Sequence, residues 1–409
     1  MDIRQISPTR TTLATSELSV MKYSAFDLKP FDNRIIEFSN RLSKRILTHP
    51  AYSRIPALTA LGYWLRKTNI KRIVDENKQL GSQPNVVLSP IGIVFHVCPA
   101  NVDTMFVYSL MISLLMGNKN ILRISNRLDH EYINFLFDVI NQELAEPDSL
   151  LISKYINIVS YEHQPDINLF FAKHANARLI WGGDNTAKIF KSMDANPRTK
   201  DIVFSDRISI ALFKTAEYLK QTDDQKKNIA KNFYNDAYTF DQKGCSSPQT
   251  IFLLGEKIDN KQFIDDFYTQ LEFISNSEYS GDNASLASLK FNQLVSDVLD
   301  DTTKNFKKDS TTLYLVETDK IALEHSCGGG YFYVKHINKI QAIRTSIDTK
   351  VQTISYFGLT KQDIEDIVTL SAGSGVDRIV PVGKALAFDY IWDGYNLCEE
   401  LSSKKFAFA

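Results

Sequence analysis

Apolar residues recur at helical spacing through residues 31–47, where Phe31, Ile35, Phe38, Leu42 and Ile46 share one stripe. That spacing predicts an amphipathic helix, and residues 54–70 predict a second one. The pattern then changes. Val86–Val97 is an apolar, β-branched run broken by Pro90 and Gly92, which predicts two strands with a bend. A turn at Pro99–Asp103 leads into the apolar helix Thr104–Met116, which Gly117 and Asn118 end. A strand at Asn120–Ile124 and a helix from about Asp129 to Leu144 come next. Ile156–Ser160 and Ala177–Trp181 predict further strands, with Pro165–His174 as the helix between them. Gly182–Gly183 is the turn before a helix over Asn185–Met193.

Strands alternating with helices at this spacing predict a parallel α/β sheet. Residues 1–211 therefore read as one doubly wound domain preceded by helices. A second series of strands is predicted at Thr250–Leu254, Thr312–Val316, Gly330–Val334, Val351–Tyr356 and Arg378–Val382. Helices such as Lys261–Phe273 fill the gaps, with Phe263, Phe267 and Leu271 on one face. Residues 212–395 form the second domain on this reading, and 396–409 a C-terminal tail. The economical picture is two α/β domains facing each other across a cleft.

Composition narrows the class. A length of 409 residues suits two or three domains, and 44% hydrophobic with 23% charged residues is ordinary for globular cores. Lys plus Arg (47) balances Asp plus Glu (48), which gives no electrostatic reason for a nucleic-acid partner. The four Cys (98, 245, 327 and 398) show neither disulfide-framework nor zinc-ligand spacing. Residues 1–12 lack the apolar core of a signal peptide. Met105–Met116, the most apolar helical stretch, is about half the length needed to span a bilayer. A cytoplasmic protein with reduced thiols and no membrane span is the expectation.

Four segments carry candidate chemistry. In Asp241-Gln-Lys-Gly-Cys-Ser-Ser-Pro-Gln249, a Cys flanked by Gly and hydroxyl residues precedes a strand. Cys245 reads either as a thiolate nucleophile activated by turn N–H groups or as a small buried hydrophobe. Cys327, beside His325 and three glycines, is its rival. In Cys98-Pro-Ala-Asn-Val-Asp103, Asn101 either donates its amide to an oxyanion or caps the following helix. Trp181-Gly-Gly-Asp-Asn-Thr186 places backbone N–H groups at a helix start, as a phosphate site or as a plain turn. It lacks the full dinucleotide fingerprint. Arg123, Ser125 and Arg127 alternate at a strand end, suiting a phosphorylated ribose or solvated surface arginines.

Taken in this order, the segments resemble the acyl-CoA reductase family within the aldehyde dehydrogenase superfamily, specifically the bioluminescence-type, LuxC-like long-chain reductases. The resemblance runs from about residue 55 to the end. Its landmarks are Gly92–Asp103, Leu179–Asp184, Asp241–Pro248 and Asp377–Lys384, the last continuing into Phe388-Asp-Tyr-Ile-Trp-Asp-Gly394. It implies an aldehyde dehydrogenase-like fold with an oligomerisation arm near Asn85–Ser89, hence a homo-oligomer. Residue by residue, it implies Cys245 as the catalytic cysteine and Asn101 as the oxyanion-hole donor. Arg123 and Ser125 would meet the adenosine ribose, Gly182 and Gly183 the dinucleotide, and Glu324 the nicotinamide ribose. Cys327 matches no nucleophile of the superfamily.

One departure is informative. Where hydrolytic members carry a general-base Glu, this chain reads Phe204-Ser-Asp-Arg-Ile208. A missing base suits an enzyme that reduces its acyl-cysteine instead of hydrolysing it. The implied activity is NADPH-dependent reduction of a long-chain fatty acyl-CoA or acyl-adenylate to an aldehyde, with Arg123 and Arg127 favouring NADPH over NADH. An acyl-protein synthetase is the partner implied by the resemblance. The alternatives are a reductase of short-chain acyl-CoA or acyl phosphate, and a non-catalytic acyl-binding subunit.

Overall fold

The computed structural model describes residues 1–99, 102, 104–126, 131–162, 164–319 and 326–407. The chain divides into two compact units, residues 1–205 with 388–409, and residues 206–387. The sequence-based boundary at 211/212 is therefore corrected. It cuts β9 (Ile208–Lys214), an apolar strand in the middle of the second sheet that the periodicity reading passed over. Residues 388–395 also belong with the first unit rather than the second.

In the first unit, the N-terminus forms a hairpin of β1 (Asp2–Ser7) and β2 (Thr11–Ala14). Then follow β3 (Val86–Pro90), β4 (Ile93–Val97), β5 (Lys119–Ile124), β6 (Ile156–Ser160), β7 (Ala177–Trp181) and β8 (Lys200–Phe204). The main sheet runs β2-β1-β6-β5-β4-β7-β8. Its last five strands are parallel, and only the hairpin joins antiparallel, through β1 on β6. Helices cover parallel sheets on both faces, so their strands bury every residue. Accordingly β6 and β7 are buried throughout, and the helix Met105–Leu115 is buried all round.

Helix boundaries follow local chemistry. The first predicted helix is Asn33–Thr48, started by Asp32, whose carboxylate accepts the Arg34 N–H at 3.0 Å. Residues 54–70 are two helices, Pro56–Trp64 and Lys67–Asn77, because Arg66 takes an extended conformation (ψ 140°). The Lys67 N–H left open at the break is accepted by Asn40 at 3.3 Å. The predicted arm strand is β3, and it pairs antiparallel with Ser402–Phe406 near the C-terminus. Buried Asn118 holds the bend between β3 and β4. Its Oδ1 accepts the N–H groups of Ile91 (2.8 Å) and Gly92 (3.2 Å), and its Nδ2 donates to the Leu401 carbonyl at 2.8 Å.

The second unit contains β9, then β10 (Pro248–Leu254), β11 (Thr303–Lys307), β12 (Tyr314–Thr318), β13 (Tyr331–Ile337), β14 (Val351–Phe357) and β15 (Arg378–Pro381). Its sheet runs β11-β12-β13-β10-β9-β14-β15, parallel except for β11. Phe213, Phe233, Phe263 and Phe267 pack on one face beneath the helices Asp223–Tyr238 and Lys257–Glu278. Among the described residues, no helix is long and apolar enough to cross a membrane.

Candidate active site

In the second unit, Cys245 lies in the loop before β10, at the amino-terminal edge of the parallel strands. The helix Asp223–Tyr238 ends in two residues of left-handed backbone, Asp241 (φ 52°) and Gln242 (φ 63°). Ser247 N–H then donates to the Gly244 carbonyl at 2.9 Å, closing a turn that carries Cys245 half-buried at its tip. The Ser209 hydroxyl on β9 donates to the Cys245 carbonyl at 2.7 Å and accepts the Thr353 N–H of β14 at 3.1 Å. The thiol-bearing residue is thus tied to two neighbouring strands.

Gln242 organises the rest of the loop. Buried to 2% exposure, it donates through Nε2 to the carbonyls of Pro248 and Tyr331, each at 3.0 Å. Its Oε1 accepts the Gly330 N–H at 3.0 Å. Gln249 donates to the Gln242 carbonyl at 2.7 Å and accepts the Ser326 hydroxyl at 2.6 Å. Together they weld the Cys245 loop to Ser326–Gly330. Glycine is needed there: Gly330 has φ 93°, and a side chain on it would meet the Thr312 carbonyl and the Tyr238 hydroxyl.

The rival thiol sits on that second loop. Cys327 packs against Leu294, Tyr314, Val316, Tyr331 and Tyr333. Burial pushes its thiol up to about 11, opposed in part by the Lys290 ammonium. A thiol so raised is almost wholly protonated at neutral pH and is a poor nucleophile. Cys98 and Cys398 are buried, and desolvation raises both.

The loop Pro381–Ala385 packs on the helix that leads to Cys245. Asp236 accepts the N–H groups of Gly383 and, at 3.0 Å, of Ala385. Burial nevertheless dominates and raises its carboxyl to about 7. The folded state therefore binds a proton that the unfolded state has lost, and stability falls as pH rises from about 4 to about 7. His96 works in the opposite sense. Buried between the Ser109 hydroxyl (2.7 Å) and Asn120 (3.1 Å), it is lowered by desolvation to about 4, so its contribution is lost as pH falls below about 6.5. We expect Asp236→Asn to flatten the fall in unfolding free energy between pH 5 and 8, a few kcal/mol in wild type. Chemical denaturation at both pH values measures this, and a fall of equal size in the variant would remove the assignment to Asp236.

In the first unit, a cavity of about 540 Å³ opens at the carboxyl ends of β4, β5 and β6, where open α/β sheets bind ligands. Arg123, Ser125, Tyr161, Glu162, Asn168 and Thr186 are among its lining residues. The guanidinium of Arg123 lies 5.1 Å from the centre of the Tyr161 ring. Its Nε is buried yet donates to no acceptor, and no carboxylate pairs with it among the described residues. A buried, unpaired donor on a cation is costly unless an anion comes to it. This fits a dinucleotide, whose phosphates and ribose hydroxyls would meet Arg123, Ser125 and Glu162.

Gly182 and Gly183 border that cavity through Thr186 rather than lining it. A side chain on Gly182 would lie 3.0 Å from Thr186, whereas Gly183 faces open space. Gly183 starts the helix Asp184–Ser192. Asn101, Arg127 and Glu324 lie outside the described residues. Sequence reasoning missed Gln242, Gln249, Ser209 and Glu162, since no motif marks a residue that works by holding a loop or lining a cavity from another strand. The stretch without a Glu also has a structural role. Arg207 donates to the Val351 carbonyl and to Asp377, each at 3.0 Å.

Two seven-stranded, mainly parallel sheets define an aldehyde dehydrogenase fold. An oxidoreductase of Marinobacter aquaeolei superposes with a TM-score of 0.66 at 12% identity, covering 99% of this chain and 94% of that one. An aldehyde dehydrogenase of Brucella melitensis biovar abortus gives 0.64 at 10% identity, covering 99% and 92%. The chain belongs to the LuxC acyl-CoA reductase family, whose model matches residues 36–403. It is 23% identical over 318 residues to a long-chain acyl-protein thioester reductase of Photobacterium phosphoreum, an alignment covering 76% of this chain. The chain spans about three-fifths (61%) of that relative's length.

Proposed function

We propose that this protein reduces an activated long-chain fatty acyl group, presented as acyl-CoA or acyl-adenylate, to the fatty aldehyde through an S-acyl-Cys245 intermediate. The observation that carries the reading is the pairing of chemistries in one chain. A half-buried thiol is held on a welded turn in the second unit, and a guanidinium that meets no carboxylate among the described residues lines a dinucleotide-sized cavity in the first. Cys245 thiolate attacks the acyl carbonyl, forming the new C–S bond. From the resemblance, the Asn101 amide would join the Cys245 N–H in holding the oxyanion, and collapse expels CoA thiolate or AMP. When bound, NADPH would supply a hydride to the S-acyl carbonyl. Loss of the aldehyde returns the Cys245 thiolate.

Arg123, Ser125, Gly182, Gly183 and, from the resemblance, Arg127 and Glu324 are the cofactor residues of this reading. The absence of a Glu in Phe204–Ile208, with Arg207 engaged by neighbouring carbonyls, supports reduction over hydrolysis of the acyl-enzyme. A homo-oligomer belongs to the same reading. Its support is the two-stranded ribbon of β3 and Ser402–Phe406, which exposes Val87 (56%) and Phe406 (69%). An acyl-protein synthetase partner and a cytoplasmic setting complete it.

The test is oxidation of NADPH by the purified protein with tetradecanoyl-CoA, with the aldehyde identified as product. Turnover with acetyl-CoA or an acyl phosphate only would replace the substrate class. Bound acyl group with no turnover under any nicotinamide cofactor would favour an acyl-binding subunit. Arg123→Gln is expected to weaken cofactor binding about tenfold, the worth of one charge-assisted contact. Because its side chain donates no hydrogen bond among the described residues, the melting temperature should hardly move. Titration of the reduced cofactor's fluorescence checks the first outcome, and an unchanged dissociation constant would put the phosphates elsewhere.

A further inference from the structure

Beside the large cavity lies a small recess of about 70 Å³ between β1, the end of β6 and the helix Glu131–Leu144. Arg4, Arg10, Ser125, Asn126, Asn134 and Ser160 supply its polar wall. Residues 124–126 line both spaces, so they form a shared partition. We propose that this recess holds a phosphate ester on an adenosine ribose, the 2′-phosphate of NADPH, and that the N-terminal hairpin is its reader through Arg4 and Arg10. The proposal rests on the dinucleotide reading above and extends it to cofactor choice.

Three observations carry it. First, the strand ends align the polar groups. Arg4 on β1 is the register partner of Ser160 on β6, and the Ser160 hydroxyl bonds the Asn126 side chain at the end of β5. Arg4, Ser160 and Asn126 thus form a row leading from the recess to the partition beside Ser125.

Second, the charge is uncompensated on the recess side. Arg4 is exposed and engages no carboxylate among the described residues. Arg10 meets Asp138 at 2.7 Å, but both side chains are about half exposed (49% and 51%). Such a pair contributes little and leaves the remaining guanidinium N–H groups available. No Asp or Glu lines the recess among the described residues, whereas Glu162 lines the larger cavity. A ribose hydroxyl is welcome beside Glu162 and a phosphate dianion is not. The same dianion is favoured beside two guanidinium groups and the neutral polar side chains of the recess wall. Third, the recess has room for several waters and so for one phosphate group, but not for a base or a nicotinamide.

Binding is measured on the full-length protein with NADPH, NADH, adenosine 2′,5′-bisphosphate, adenosine 3′,5′-bisphosphate and 5′-AMP. Wild type, Arg4→Gln, Arg10→Gln and Arg4→Lys are compared by calorimetry or cofactor fluorescence. Expected is a loss of about tenfold in affinity for NADPH and adenosine 2′,5′-bisphosphate in each Gln variant, with partial rescue in Arg4→Lys. NADH and 5′-AMP should bind all four proteins alike, which also certifies their folding. A loss confined to adenosine 3′,5′-bisphosphate would assign the recess to the CoA phosphate and overturn the 2′ assignment. Equal NADPH affinity in all four proteins would overturn the role of the hairpin while leaving the dinucleotide reading intact. Wild type that binds neither dinucleotide would remove that reading, and this proposal with it.

Discussion

Cys245→Ala is expected to abolish both acyl transfer to the protein and aldehyde formation, a loss of at least about 10³-fold in turnover. No other thiol is placed to substitute. Cys98 and Cys398 are buried with their ionisation opposed by desolvation. Cys327 is held near 11, so only about one molecule in 10⁴ carries its thiolate at pH 7. Cys245 instead sits at the tip of a turn, with its carbonyl anchored by Ser209 and its side chain on a half-exposed residue. The discriminating measurement is the intact mass of protein incubated with tetradecanoyl-CoA and no reductant. Wild type and Cys327→Ala should gain one acyl group, and Cys245→Ala none. Acylation surviving in Cys245→Ala but lost in Cys327→Ala would transfer the nucleophile to the glycine loop.

Gln242→Ala should be the most damaging change that removes no reacting atom. The wild-type side chain satisfies three backbone groups from two segments, the carbonyls of Pro248 and Tyr331 and the N–H of Gly330. Leaving buried polar groups unpaired costs about 1–3 kcal/mol each, so a loss of about 3 kcal/mol or more in unfolding free energy is expected. Left-handed backbone at Gln242 (φ 63°) adds to the effect, since its bonds are what hold a non-glycine residue there. In the folded fraction, acylation by Cys245 should slow while cofactor binding in the first unit stays the same. Urea denaturation gives the first quantity and single-turnover acylation the second. A loss of less than about 1 kcal/mol would mean that water replaces the side chain and that the weld is dispensable.

The two predictions differ in how far they could be read from sequence. Cys245 stands in a Gly-Cys-Ser-Ser segment before an apolar run, and a candidate thiol in such a setting is visible in the sequence itself. Gln242 is not. Its importance comes from Tyr331 and Gly330, almost ninety positions away, and a polar residue in a turn ordinarily faces water. Arg123 is intermediate. Its place at a strand end was legible from alternation, but that no carboxylate pairs with it among the described residues depends on what β6 and the helix Asp184–Ser192 bring near it.

Local pattern by itself determined most of the elements and their parallel arrangement. Strands such as Ile156–Ser160 and Ala177–Trp181, and the helix Pro165–His174, match their predicted limits, because apolar runs and Pro or Gly punctuation act within a few residues. The N-terminal hairpin escaped because Arg4, Gln5 and Thr11 dilute its apolar signal. β9 escaped because Ile208–Phe213, apolar apart from Ser209, shows no sustained period. Only the tertiary structure decided that β9 sits between β10 and β14 and ties down the Cys245 turn through Ser209. It likewise brought Arg4 beside Ser160, 156 positions later in the chain. Strand order and register are set by burial summed over a whole sheet, a quantity that no short window of sequence contains.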